Sequence, residues 1–317
     1  MNCRRIDGGF LMRWDNKRYH SLNYELRKVF GEKVFKLSLD GHFTCPNRDG
    51  TIGIKGCIFC SEQGSGEFAA PRELSLYQQI EQQQKLLSAK WSSGRYIAYF
   101  QNFTNTYAPI EDLRKKYTEV ISVPNIVGLA IATRPDCLPD DVLDLLEELS
   151  NKTYLWIELG LQTIHESTAK LIRRGYSLSI FENTIQKLKE RKINTVAHLI
   201  FGLPYETDHQ ILTSVKYIAK SGIQGVKFHL LHILKNTDLC QFYYEKKFPV
   251  LSQEEYISLI VDAIELLPPE MVIHRLTGDG PKNLLVAPKW STNKWNVLNG
   301  IDRELKLRDT FQGKYYT

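Results

Sequence analysis

Six short apolar stretches, at 33–39, 95–100, 126–132, 154–160, 195–201 and 225–231, alternate with segments of helical period. That alternation limits the fold more than any other feature of the chain. The stretches are rich in β-branched and aromatic residues, the composition of strands buried on both faces. Between them, Val142, Leu145, Leu146 and Leu149 fall at i, i+3, i+4 and i+7, one face of a helix. Phe181, Ile185 and Leu188 repeat the pattern, as do Ile211, Val215, Ile218 and Ala219. Thr207 with Gln210, and Ser252 with Glu255, have the spacing of capping boxes. Pro139 ahead of Asp140 and Asp141 marks another helix start, with acids at the positive end of the helix dipole. Six strands, each followed by a helix or a long loop, predict a parallel sheet with helices outside. No Gly-x-Gly-x-x-Gly follows a strand, and the spacing is short for two Rossmann halves. The expected architecture is therefore α/β: a partial (βα)6 TIM-like barrel of parallel strands with N- and C-terminal extensions. Its divisions are a basic aromatic extension over 1–32, the barrel over 33–285 and a basic tail over 286–317.

In such barrels the chemistry sits at the C-terminal ends of the strands. Directly after the first stretch comes a Gly-rich loop carrying Cys45, Cys57 and Cys60, with eleven residues between the first two and two between the last. Three thiolates suit a soft metal centre. A 4Fe–4S cluster ordinarily takes four cysteines; held by three, one iron keeps an open position where a ligand can bind. A structural zinc site completed by Cys137, Cys240 or a histidine fits the Cys-x2-Cys pair as well. Disulfides fit poorly, because six cysteines in 317 residues are sparse and the first residues lack the apolar run of a secretory signal. No stretch approaches the ~20 apolar residues of a membrane span. A reduced, cytoplasmic compartment and no membrane partner are expected. Cys3, Cys137 and Cys240 are scattered and read as small hydrophobes or incidental thiols.

Polar groups recur at the other strand ends. They include Gln101, Asn102 and Thr104 after the second stretch, Thr133, Arg134 and Asp136 after the third, and Glu158 and Gln162 on the fourth. His198 and Gly202-Leu203-Pro204 belong to the fifth, His229 and His232 to the sixth. Singly, each fits ordinary strand-end capping. Repeated around one mouth beside a cysteine loop, they read as a ligand pocket. Gly64-Ser65-Gly66 reads either as a lid or as a flexible connection.

The net charge of +5 is placed unevenly. Residues 1–36 hold nine Lys/Arg (Arg4, Arg5, Arg13, Lys17, Arg18, Arg27, Lys28, Lys33, Lys36) against four acids, so the rest of the chain balances. Trp14, Tyr19, Tyr24, Phe30 and Phe35 interleave with them. Basic side chains among aromatics can grip a phosphate backbone and stack on bases. An arm packing its aromatics on the barrel explains the same residues. The tail adds Lys289, Trp290, Lys294, Trp295, Lys306, Arg308 and Lys314, and two such termini would make an RNA cradle.

These motifs resemble those of radical S-adenosylmethionine (SAM) enzymes, and within them the YhcC/YtqA-type group, whose core is similar to the radical SAM domain of the Elongator catalytic subunit. The usual loop has three residues between its first two cysteines; the eleven here match the lengthened loop of the Elongator-like branch. Phe59 stands at the family's aromatic position between the last two cysteines. Glu158 to Gln162 with Arg173-Arg174-Gly175-Tyr176, Gly202-Leu203-Pro204-Tyr205-Glu206-Thr207 and the run 231–239 match further segments, over roughly residues 33–285.

The resemblance implies a 4Fe–4S cluster on Cys45, Cys57 and Cys60, with SAM bound to the free iron. It implies SAM contacts at Phe59, Gln101, Asn102, Thr104, Thr133, Glu158, Gln162, Arg174, His198, Gly202, Leu203 and Pro204. In that scheme Gln101, Asn102 and Thr104 meet the amino group, Glu158 and Gln162 the ribose, Arg174 the carboxylate, and Phe59 and the Gly202-Leu203-Pro204 turn the adenine. No residue is assigned to the substrate chemistry. The implied reaction is reductive cleavage of SAM to a 5′-deoxyadenosyl radical, with reduced flavodoxin or ferredoxin as electron donor. Elongator-like enzymes act on the wobble uridine of tRNA, which makes tRNA the leading substrate. About 30 residues follow the barrel, too few for an acetyltransferase domain, and no second three-cysteine set precedes it, against a two-cluster methylthiotransferase. A small metabolite as substrate, or a non-catalytic zinc-stabilised RNA-binding protein, are the open alternatives.

Overall fold

The computed structural model describes residues 3–6, 9–12, 14–64, 66–88, 94–246 and 248–317, the first two segments as backbone only. Arg13, Ser65 and the side chains of Cys3, Arg4 and Arg5 therefore lie outside the described residues.

In chain order the elements are β1 (Cys3–Ile6), β2 (Gly9–Met12), α1 (Leu22–Phe30), β3 (Val34–Leu39), α2 (Leu76–Ser88), β4 (Arg95–Phe100), α3 (Ile110–Ile121), β5 (Ile126–Thr133), α4 (Asp140–Ser150) and β6 (Tyr154–Gln162). There follow α5 (Glu166–Leu171), α6 (Leu178–Glu190), β7 (Asn194–Phe201), α7 (Asp208–Lys220), β8 (Gly225–Leu230), β9 (Ile233–Leu234), α8 (Asp238–Lys246), α9 (Gln253–Leu266), β10 (Val272–Arg275), β11 (Leu285–Ala287) and α10 (Lys294–Leu307). One sheet has the order β10-β8-β7-β6-β5-β4-β3. All six expected strands form, each within two residues of its expected ends. A seventh strand, β10, was not expected: it is four residues long and ends in His274-Arg275, too short and polar for an apolar run. Among the described residues no helix is long and apolar enough to cross a membrane.

The chain divides into two compact units. The first comprises residues 26–160 and 173–196. Its parallel strands pair in order, Val34 with Arg95 through Leu39 with Phe100, and Gly128 with Tyr154 through Thr133 with Leu159. Ile97, Phe100, Leu129 and Ile131 are buried completely. Gly128 is required here, because a Cβ would stand 2.6 Å from the Tyr154 carbonyl oxygen. Over this sheet, α3 buries Leu113, Tyr117 and Val120, and α4 buries the expected Val142, Leu145, Leu146 and Leu149. Helix α6 buries Phe181 and Leu188, with Thr184 between them donating to the Pro135 carbonyl at 3.0 Å.

The second unit comprises residues 1–25, 161–172 and 197–317. In it β10 pairs with β8 in parallel, and β11 with β9 antiparallel. Both expected capping boxes form, Thr207 with Gln210 at α7 and Ser252 with Glu255 at α9. The chain from Trp14 is tied to the C-terminal segment. Lys17 pairs with Asp302, Arg18 with Asp309 at 2.8 Å, and the His20 amide donates to Gln312 at 2.8 Å. Trp14 stacks on His20 and is buried with Tyr19. These basic and aromatic residues are thus consumed in packing, as an arm docked on its own unit requires. In the tail, Lys294 pairs with Asp279, and Arg308 with Asp262 and Glu304.

Candidate cluster and cofactor site

The loop after β3 owes its shape to backbone turns. The Cys45 carbonyl accepts from the amides of Arg48 at 2.8 Å and Asp49 at 3.2 Å, and the Pro46 carbonyl from that of Ile52 at 2.8 Å. The Asn47 carbonyl then accepts from Gly56 at 2.7 Å, which folds the eleven intervening residues back and returns Cys57 to the neighbourhood of Cys45. Gly56 has φ +70°, and a Cβ there would lie 2.8 Å from Arg48 Nε. A second turn closes Cys57 to Cys60, with N···O 3.0 Å.

Two side chains lock this loop. Asn47 donates from Nδ2 to the Arg173 carbonyl at 2.7 Å and lies 3.7 Å from Cys57 Sγ. Arg48 donates to the carbonyls of Cys60 at 3.0 Å, Ser61 and Glu62, and its guanidinium lies over the Phe103 ring. Neither residue stands out in the sequence, since side-chain to carbonyl bonds follow no periodic spacing.

Cys45, Cys57 and Cys60 stand in this loop and form no disulfide. Burial pushes the Cys57 thiol up to about 12, and the neighbouring Cys60 and Cys45 add to the rise. A bound metal reverses that balance, because its positive charge stabilises the thiolate. Among the described residues no three His, Cys, Asp or Glu side chains converge on one ion. Three soft thiolates are the donors of a cluster that keeps one iron open. The donor set fits a cluster.

Beyond β4, Asn102, Thr104 and Asn105 are buried, and Asn102 Oδ1, Thr104 Oγ1 and Asn105 Oδ1 have no hydrogen-bond partner. Three such atoms within four residues are costly unless a ligand donates to them. Asn102 is held by its Nδ2, which donates to Asp40 Oδ2 at 2.9 Å. Gly66 packs on the same amide, so that a Cβ there would lie 2.0 Å from Asn102 Cγ. Gly64 and Phe103 join backbones at 3.2 Å. The glycines at 64 and 66 thus pack on the 102–104 segment, and Ser65, the middle residue of the expected lid or connection, lies outside the described residues.

Other expected residues have mixed surroundings. Thr133 Oγ1 is 2.6 Å from Thr106 Oγ1, a bond within the protein. Glu158, buried on β6, accepts from Tyr99 Oη at 2.7 Å and Trp156 Nε1 at 3.2 Å. Arg174 is buried, with its guanidinium 4.7 Å from the Tyr176 ring. Arg134 covers the same ring at 4.9 Å, binds Asp136 bidentately at 2.7 and 2.9 Å, and donates to the Arg174 carbonyl at 2.9 Å. Phe59 is half-buried in the Cys57–Cys60 turn, and Gln101 half-buried after β4.

These residues belong, with the cysteines, to the first unit; Gln162, His198, Gly202, Leu203 and Pro204 belong to the second. Gln162 has φ +63°, a strained conformation for a residue with a side chain. Gly202 has φ +85° and turns the chain after β7, leaving Leu203 and Pro204 buried. The His198 ring centre lies 5.4 Å from that of His229.

The family model of the radical SAM superfamily matches residues 45–218, beginning at Cys45, and that of the radical SAM C-terminal domain matches residues 223–307. The chain is 50% identical over 300 residues to YtqA of Bacillus subtilis, covering 95% of this chain and 93% of YtqA. It is 38% identical over 282 residues to YhcC of Escherichia coli K12, covering 89% and 90%. Among solved structures, an archaeal Elp3 from Methanocaldococcus infernus superposes with a TM-score of 0.65 at 18% identity. That superposition covers 88% of this chain and 64% of the Elp3 chain, and the two share the partial barrel of parallel strands.

Proposed function

The chain belongs to the radical SAM superfamily, and we propose that it cleaves SAM reductively to modify tRNA, with the wobble uridine as the target. Its cofactors are a 4Fe–4S cluster and SAM. Bound together they would supply one-electron cleavage of SAM and, through it, abstraction of hydrogen from an unactivated carbon.

This chain's residues bind and orient. Cys45, Cys57 and Cys60 would hold three irons and leave the fourth to SAM. The Asn47 amide beside Cys57 stabilises its thiolate, and Arg48 braces the Cys60 turn. Asn102 and Thr104 present partnerless oxygens to an amino group, with Gln101 beside them. Glu158 and Gln162 would face ribose, Arg174 the carboxylate, and Phe59, Thr133, His198 and the Gly202-Leu203-Pro204 turn the remaining faces of SAM. The barrel of 33–285 would carry these groups, with extensions on either side. Reduced flavodoxin or ferredoxin in the cytoplasm would supply the electron.

The observation that carries this reading is the match to the superfamily from Cys45 onward, on a loop whose Cys45 and Cys60 lie close enough to Cys57 to act on its thiol. Membership replaces the reading as a zinc-stabilised binding protein. The resemblance to the Elongator catalytic subunit supports tRNA. A small metabolite is the second reading, favoured by the ion pairs that occupy Lys17 and Arg18.

Protein purified without oxygen should hold about four irons per chain and release 5′-deoxyadenosine with dithionite and SAM. Added tRNA from cells lacking the protein should be modified. Zinc in place of iron would sink the radical mechanism; SAM cleavage with every tRNA left unmodified would sink the substrate.

A further inference from the structure

Charge and imidazole concentrate in one part of the second unit. The ring centre of His229 on β8 lies 5.4 Å from that of His198 on β7, and Lys227, two residues before His229, is the register partner of Arg275 on β10. The ring centres of His229 and His232 are 5.3 Å apart. Asp279, in the loop after β10, is 3.4 Å from Arg275 Nη2 and 2.8 Å from Lys294 Nζ. One carboxylate thus serves two cations, and a positive charge is left over. The Lys294 side chain is 41% exposed, whereas His232 is 7% exposed.

Two further features mark this cluster as a place for a ligand. His232 Nε2 has no hydrogen-bond partner, although the residue is buried. Such an atom costs free energy unless something binds it. The loop is also pressed against the rings: a Cβ on Gly278 would lie 2.3 Å from His229 Cε1 and 2.8 Å from His232 Cε1, so the position has to be glycine. His229 Nδ1 is 2.7 Å from the Leu230 carbonyl, which fixes the proton on that nitrogen and leaves Nε2 as an acceptor.

We propose that Arg275, Lys294 and His232 form a binding site for an oxyanion, a phosphate or carboxylate group carried by the substrate, with Asp279 holding the two cations until that group displaces it. Asp279 joins a planar guanidinium to an ammonium, and Asp279 and Arg275 both lie close enough to His232 to act on its charge; guanidinium, ammonium and imidazole are the groups that recognise oxyanions. The histidines do not make a metal site, since among the described residues no three potential ligands converge. Burial foremost, opposed by the Asp279 carboxylate and aided by Arg275, holds the His232 imidazole neutral, down to about 4, so it contributes a hydrogen bond rather than a charge. The assignment to substrate rests on the function proposed above; the anion site itself does not.

The test titrates the full-length, oxygen-free holoprotein with inorganic phosphate and, separately, acetate by calorimetry, with and without saturating SAM. Saturable binding is expected, tighter for whichever probe matches the substrate's group and unaffected by SAM. Lys294→Met, at the more exposed position, and Arg275→Met should each weaken it about tenfold or more. Asp279→Asn should strengthen it, a direction that a purely structural carboxylate would not produce. Absence of saturable binding for both probes, or wild-type affinity in Lys294→Met and Arg275→Met, would overturn the site. Competition by SAM would assign the site to the cofactor and overturn its link to substrate. Failure of SAM cleavage would overturn the proposed reaction and leave the titration as it stands.

Discussion

Asn47 makes three contacts to two other stretches of the first unit with its side chain and its carbonyl: the Arg173 carbonyl, and the Gly56 amide and Cys57 sulfur. Asn47→Ala should cost about 1–2 kcal/mol, because the Arg173 carbonyl loses its donor, and should lower the iron held per chain. Thermal melting and an iron assay check both; wild-type values would remove Asn47 from the loop's support. Gly66→Ala should cost about 1–3 kcal/mol by forcing the Asn102 amide aside, and should weaken SAM binding in the same titration that scores wild type. His232 gives a pH dependence of definite sign. Its folded value is lowered from 6.5 to about 4, so its contribution is complete above pH 6.5 and is lost as pH falls towards 4, by at most about 3 kcal/mol. Urea midpoints across that window should decline less steeply in His232→Gln.

At the scale of elements, periodicity located the helices because their buried faces are continuous in sequence. Helix α4 buries the four leucine and valine positions that its i, i+3, i+4, i+7 pattern marks. Strand β4 was legible to the residue, since five of its six residues are buried. Ends elsewhere moved by a residue or two because pairing, not composition, stops a strand: β6 runs on to Gln162 past the last apolar-rich run. Strand β10 exists through its register with Gly225 and Val226, and nothing local announces it. The capping boxes were read directly, as both partners lie within one turn. Thr207→Ala should cost about 1 kcal/mol in chemical denaturation with the slope unchanged; an unaltered midpoint would deny the cap its role.

For the whole molecule, the N-terminal arm is where charge pattern and structure part. The excess of nine basic residues over four acids in residues 1–36 reads as a nucleic-acid surface, yet Lys17 and Arg18 face Asp302 and Asp309, far apart in sequence. Lys17→Ala with Arg18→Ala should lower stability by up to about 1 kcal/mol and leave the salt dependence of tRNA binding as it was. A flatter salt slope would restore these two residues to an RNA contact.

The sequence by itself determined the parallel α/β class, the helix faces and caps, and the cysteine loop, because each is written in residues close together along the chain; the cofactor class came from the resemblance of several such segments to a family. Tertiary structure alone decided the lock of Asn47 and Arg48 on that loop, the partnerless oxygens at 102–105, the docking of the arm, and the placing of Arg275 and Asp279 by the buried His232. Each of those depends on groups brought together by packing from distant parts of the chain, and no local pattern specifies which distant atoms a side chain will meet.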